Sequence, residues 1–342
     1  MKQPDINYLR VLVRALPLMA VIYLLGPLGL QIRSSLGATQ DANTVTQVST
    51  KSRGFNQAER SRLADLARAW EQSTTAPIGL AYHDVSEKPA SPYTVTPSQL
   101  DEQMKALTLM GAHVLSAAEM VAYQAGGTVP PKSVFITFDD GARGVWKYAD
   151  RILKRYKFRA VAFVITGSVG TRPPYYMTWN ELEQLGASGR WDIEAHTHLG
   201  HRKIPTSSGL AEASFLSNLE WRADQRLETL DEYRIRMTVD LDACQTELVL
   251  RGHGKHRLFA YPFSDFGATS NEPATAGVLS TALAERFAVA FTTGENPSRA
   301  TSTYNLNRIT IKTDTDVVSL TNKILRTAEL NPTRTTEAVR RP

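Results

Sequence analysis

Between residues 55 and 328 short apolar runs alternate with stretches of helical spacing. Residues 133–138 (SVFITF) are apolar without in–out alternation, as expected of a parallel strand covered on both faces. Residues 77–85 (PIGLAYHDV), 160–165 (AVAFVI), 191–196 (WDIEAH), 258–263 (LFAYPF) and the runs FAVAFTT and NRITIK supply further strands. The spacing predicts helices over 55–72, where Leu63, Leu66 and Trp70 share a face, and over 97–112, with a capping pattern at Ser98. Others follow over 145–156, over 178–188 with Thr178 as N-cap, over roughly 212–250, and near 275–286. This repeated alternation predicts an α/β fold with a mainly parallel sheet, and periodicity leaves open whether the sheet closes into a barrel. In both cases a site forms at the carboxyl ends of the strands.

That is where the polar departures lie. His83, the pair Asp139–Asp140, His196 and the Tyr-Pro-Phe turn each end an apolar run. Taken alone, Asp-Asp-Gly fits an ordinary turn. The second signal is EAHTHLGH, which puts His196, His198 and His201 into six residues of a chain with seven histidines. Histidine is the commonest metal ligand, and the two signals explain each other. A divalent cation held by one aspartate and two histidines neutralises one carboxylate and lowers the cost of its neighbour. Three protein ligands leave open positions, as in a catalytic site. The free carboxylate can then serve as general base on a water whose pKa the metal lowers. Local geometry permits three different histidine pairs: His196 and His198 share a face on a strand, whereas His198 and His201 are neighbours in a helical turn.

Charge and cysteine usage narrow the class. Of the net charge of +5, residues 1–54 contribute +4 and residues 329–342 contribute +1, so the middle of the chain is neutral. No basic cluster for nucleic acid is present. The single Cys244 rules out an intramolecular disulfide and a cysteine-based metal site. Lys2, Arg10 and Arg14 precede an uncharged run at 15–30, the arrangement of a signal peptide. Residues 1–33 are thus expected to be a signal peptide or, if uncleaved, a membrane anchor, with the remainder exported. Residues 34–54 read as a linker, 55–328 as the domain, and 329–342 as a disordered tail.

The ordered segments TFDDG, TWNELEQLGASGRWDIEAHTHLGH and FAYPF, with AYHDV ahead of them, resemble the motifs of the NodB-homology polysaccharide deacetylases over roughly residues 76–312. The resemblance implies a deformed (β/α) barrel and a metal-dependent deacetylase acting on an acetylated polysaccharide. It assigns Asp139 as base, Asp140 as a metal ligand and zinc as the usual ion. Most of the family spaces its ligand histidines four apart, which would fall on Gly200. The resemblance therefore selects His196 and His201, five apart, and leaves His198 to point away or hold a neighbouring loop. This spacing resembles the exported deacetylases of poly-β-1,6-N-acetylglucosamine. Two family positions differ: the arginine that usually holds the base is replaced by Ala260, and NRITIK lacks the usual acid histidine. His83 becomes the candidate proton donor, and the Phe263 N–H the candidate oxyanion donor. Two other readings remain at this point: a non-catalytic carbohydrate-binding relative, which the two departures support, and an iron oxygenase with the same two-histidine, one-carboxylate set. The α/β pattern argues against the latter.

Overall fold

A computed structural model describes residues 54–74, 76–294 and 302–331. The apolar segment 15–30, most of the linker and the tail beyond residue 331 lie outside the described residues. Seven strands form the central sheet: β1 (Ile78–Tyr82), β2 (Ser133–Phe138), β3 (Ala160–Val164), β4 (Trp191–Ala195), β5 (Leu258–Ala260), β6 (Val289–Gly294) and β7 (Leu306–Thr310). Each pairs in parallel with its neighbours in chain order, and β1 pairs with both β2 and β7. The sheet is a closed barrel. Its weakest seam lies between β4 and β5, where the only registered pair is Phe259 with Ala195. The short strand His113–Val114 adds to the start of β2.

The helices are α1 (Gln57–Ser73), α2 (Pro97–Leu109), α3 (Ala117–Gln124), α4 (Asp150–Tyr156), α5 (Trp179–Ala187), α6 (Leu230–Leu250), α7 (Ala274–Arg286) and α8 (Val317–Leu330). Thr178 caps α5 through a reciprocal bond with Glu181, as predicted. At α2 the cap is Thr96 with Gln99, two residues ahead of the predicted Ser98. The predicted helix over 212–250 is helical only from Leu230. Upstream, Lys203–Pro205 pairs antiparallel with Glu212–Ser214. The Arg236 guanidinium donates to the carbonyls of Phe215 and Asn218 and to Glu228. A side chain thus satisfies backbone groups that helix formation would otherwise pair. Helix α8 has no counterpart in the predicted elements, and it runs two residues into the stretch read as tail.

Side chains alternate across each strand, and the two faces form separate cores. One face, including Leu80, Ile136, Ala162 and Ile193, packs under the helices. The other, with Phe135, Phe163, Leu258 and Phe291, fills the barrel lumen. The lumen is a packed core rather than a pore, with the Phe135 and Phe291 rings 5.3 Å apart. Arg308 of β7 enters it, fully buried, with its guanidinium 5.1 Å from the Phe163 ring. Gly79 on β1 makes room, because a Cβ there would lie 2.6 Å from the Arg308 Cγ.

This fit yields a paired prediction. Gly79→Ala should cost about 1–3 kcal/mol, the usual scale of overpacking. Gly277→Ala, at a helical position with nothing within 4 Å of the added Cβ, should stabilise by up to about 1 kcal/mol. Urea unfolding of both variants checks this, and equal effects would contradict the packing account.

Candidate active site

Period-two alternation carries the lumen-facing row of each strand past the strand end. Phe135 and Thr137 are followed by Asp139, Gly79 and Ala81 by His83, and Glu194 by His196. These residues emerge on one rim, at the carboxyl ends of β1, β2 and β4. A cleft of about 340 Å3 opens there, lined by His83, Asp139, Asp140, His196, His201 and Phe263. The six candidate site residues His83, Asp139, Asp140, His196, His201 and Phe263 thus share one cavity. Of the aromatic residues near the motifs, Tyr261 and Phe263 line it, whereas Trp179 lies under Arg251.

The two aspartates point apart. Asp139 is buried and is held by Arg308 in a two-pronged pair: Nη1 donates to Oδ1 at 2.7 Å and Nη2 to Oδ2 at 2.8 Å. Arg308 also donates to Thr137 Oγ1 and to the Thr292 carbonyl. Burial works against the Asp139 charge, but the Arg308 charge and that of His196 outweigh it, and its carboxyl sits below the ordinary aspartate range. Arg308 therefore holds the carboxylate that Ala260 leaves without an arginine, reaching Asp139 from a different strand. Its signal was present in NRITIK: a charged residue inside an apolar strand needs a buried partner.

Asp140 breaks from the strand into the left-handed region (φ 71°), which aspartate tolerates better than most residues. Its Oδ1 is buried without a hydrogen bond and lies 3.3 Å from both His196 Nε2 and His201 Nε2. One ligand atom from each of the three residues lies within 4.8 Å of the other two. The His196 Nδ1 is 2.7 Å from the Ala260 carbonyl. That bond fixes Nδ1 as the donor and leaves the Nε2 lone pair of the neutral ring facing the carboxylate. Acceptors converging on one point suit a cation, so this donor set fits a divalent metal. The same bond also spans the weak β4–β5 seam. Burial opposes the Asp140 charge too, yet the His196 and His201 rings, when protonated and donating from Nε2, hold its carboxyl well below the ordinary range. For His196 burial favours the neutral ring, while Asp140 and Asp139 outweigh it and raise its pKa.

His198 is outside the cluster. Its Nδ1 is 2.9 Å from Thr166 Oγ1, on a neighbouring loop. His83 packs its ring 5.0 Å from Tyr93, with Nδ1 buried and unpartnered. Burial lowers its pKa despite the Asp139 and Asp140 charges. Phe263 is 45% exposed, lies against His201 with ring centroids 4.4 Å apart, and has a left-handed backbone (φ 56°). No hydrogen bond among the described residues uses its N–H.

A family profile described as polysaccharide deacetylase matches residues 126–278. Residues 126–278 belong to the polysaccharide deacetylase family. The deacetylase match takes in Asp139, Asp140, His196, His201 and Phe263, and leaves His83 and Arg308 outside. A poly-beta-1,6-N-acetyl-D-glucosamine N-deacetylase of Staphylococcus aureus is 36% identical over 123 residues, 35% of this chain and 42% of the relative. The protein of the same name from Staphylococcus epidermidis is 31% identical over 109 residues, 31% of this chain and 38% of the relative. The chain thus spans about two fifths of the curated relatives it matches. Among solved structures, a de-N-acetylase from Aggregatibacter actinomycetemcomitans superposes with a TM-score of 0.61 at 22% identity, covering 72% of this chain and 98% of that one. IcaB from Ammonifex degensii gives 0.54 at 22% identity, covering 75% and 99%. These likenesses show the fold, a closed barrel of parallel strands with surrounding helices.

The buried pair predicts a pH-dependent stability difference. Arg308→Met leaves Asp139 charged and unpaired and should cost about 3–5 kcal/mol at neutral pH. Because pairing lowers the folded pKa of Asp139, its stabilisation is present above the unfolded value and is lost as pH falls through the folded one. The gap between wild type and variant should therefore shrink in acid. Urea unfolding as a function of pH measures it; a gap that is constant with pH would show that the ion pair is not its source.

Proposed function

We propose that the chain is a metal-dependent N-deacetylase of an exported polysaccharide, with poly-β-1,6-N-acetylglucosamine as substrate. The observation that carries this reading is the division between adjacent carboxylates: Asp139 held ionised by Arg308, Asp140 turned toward two histidine nitrogens. The named relatives support the choice of polymer. Asp140, His196 and His201 would hold the ion, with zinc as the expected metal. When bound, it would supply Lewis acidity for the acetyl carbonyl and for a water molecule.

The remaining steps fall to the side chains and backbone. Asp139 takes a proton from the attacking water, whose oxygen forms the new bond to the acetyl carbon. The unpaired Phe263 N–H donates to the oxygen that becomes negative in the tetrahedral intermediate. His83 delivers a proton to the departing nitrogen as the C–N bond breaks, and acetate and a free amine result. Burial keeps resting His83 neutral, so the proton it delivers is the one Asp139 took from the water, passed on to His83 before the C–N bond breaks. With Arg308 on the base, Ala260 no longer favours a non-catalytic relative. The charged residues ahead of the apolar run at 15–30 support export, with residues 1–33 as signal peptide or anchor and 34–54 as linker.

Acetate release from β-1,6-linked N-acetylglucosamine oligomers is the deciding measurement, with chitin oligomers alongside. Release should require Zn²⁺ or Co²⁺ after chelation. Asp139→Asn should keep the metal and lose turnover by about 10² to 10⁴, whereas Asp140→Asn should weaken metal binding itself. Full turnover by the chelated protein would sink the metal-dependent reading, and release from chitin alone would overturn the choice of polymer.

A further inference from the structure

Two ligand histidines five residues apart pose a positional problem. His196 is fixed by its strand, since its N–H donates to the Val164 carbonyl at 3.1 Å and its Nδ1 is bonded to Ala260. His201 has no such support; it lies beyond a turn, residues 197–200, and its position depends on how that turn is held. The turn begins at Thr197, a β-branched residue in the left-handed region (φ 72°), where the backbone costs energy unless its surroundings enforce it.

Two elements enforce it. On one side, Thr166 N–H donates to the Thr197 carbonyl at 3.1 Å and Gly167 N–H to that of His198 at 3.0 Å. On the other side stands a carboxylate that the proposed chemistry does not use. Asp240, in the middle of α6 and 8% exposed, accepts from His198 N–H through Oδ2 at 3.0 Å and from Leu199 N–H through Oδ1 at 2.7 Å. Each oxygen takes one of two successive amides. The next residue is Gly200, where a Cβ would lie 3.0 Å from Asp240 Oδ2 and 3.0 Å from the Phe215 ring. The turn therefore closes onto Asp240 without a side chain between them, and His201 emerges on the far side against Asp140.

We infer that Asp240 is a positioning residue for the metal cluster: its carboxylate clamps the 197–200 turn and so sets the place of the His201 Nε2. It acts through His201 and touches neither the ion nor the substrate. This rests on the metal-dependent reading above. Asp240 is the device that makes the five-residue spacing workable, with α6 serving as the rigid support. Asparagine keeps the shape of the side chain but turns an NH₂ group toward one of the two amides, so the clamp is half lost.

The test is Zn²⁺ affinity, measured by chelator competition, together with the absorption spectrum of the Co²⁺-loaded protein and the melting temperature of the metal-free one. Asp240→Asn should bind Zn²⁺ about 10- to 100-fold more weakly and alter the Co²⁺ spectrum. In a His201→Ala background the same substitution should add no further loss, because its effect passes through the missing ligand. Gly200→Ala, which keeps Asp240 but pushes a methyl group into the turn, should reproduce the weakening and supplies the test if Asp240→Asn does not fold. Unchanged Zn²⁺ affinity in a folded Asp240→Asn or Gly200→Ala variant, or a full additional loss in the His201→Ala background, would overturn the inference while leaving the deacetylase reading in place. A wild-type chain that binds no Zn²⁺ would overturn both.

Discussion

The pair between Arg308 and Asp139 is the constraint around which this barrel is arranged. A guanidinium and a carboxylate, both withdrawn from water, sit above a lumen floored by Phe163 and Phe291. Such a charge is tolerable only when its donors and acceptors are met. Here Thr137 Oγ1 and the Thr292 carbonyl take remaining donors of the guanidinium, and Gly79 gives up a side chain to admit its stem. The lumen is therefore polar at its rim and mostly apolar below, where the buried Glu194 carboxylate accepts from the His256 and Leu258 N–H groups. The cleft is the open top of that polar rim.

The division of labour at Asp139–Asp140 follows from strand geometry. Alternation alone points Asp139 into the lumen, toward Arg308. Its neighbour would face the helices, but the chain leaves the strand there: Asp140 and Gly141 both take positive φ. A Cβ on Gly141 would come within 3.2 Å of Val164. The turn swings the second carboxylate back over the rim, toward rings that arrive from β4 and from the clamped turn beyond it. Identical side chains with adjacent positions thus meet different partners, one a permanent cation and the other a pair of imidazole rings. In both cases burial alone would neutralise the carboxyl, and the partner keeps it charged.

Much of this was legible in the sequence, and the illegible parts share a cause. The parallel strands, the Thr178 cap and the rim position of the polar residues follow from local pattern, because each depends on neighbours within a few residues. The 212–229 part of the helix predicted over 212–250 failed because its apolar spacing is compatible with a loop whose carbonyls are claimed by Arg236, 18 and 21 residues further on. The true start of α6 carried a local mark, Thr229 with Glu232 in a reciprocal cap, that the apolar spacing obscured. Arg308 was passed over for the same reason. NRITIK stands out locally for the histidine it lacks, while the partner of its arginine stands 169 residues earlier. Barrel closure, which brings β7 beside β1, is a non-local fact that periodicity does not encode. The choice of His201 over His198 came from the resemblance, since local geometry allowed either.

Closure of the barrel by β7 also bears on the order in which the molecule is built. Asp139 is made early and is committed to the lumen by β2, but its counter-charge arrives only when the last strand inserts between β6 and β1. Until then the carboxylate is better left in water, so the nascent barrel has an electrostatic reason to stay open. Contacts of this sequence separation form late and slowly. Strand insertion, ion pairing and completion of the rim thus become a single cooperative event. A chain that stops before residue 306 lacks both the closing strand and the partner of Asp139, and proteases and chaperones would meet it as an unfinished barrel.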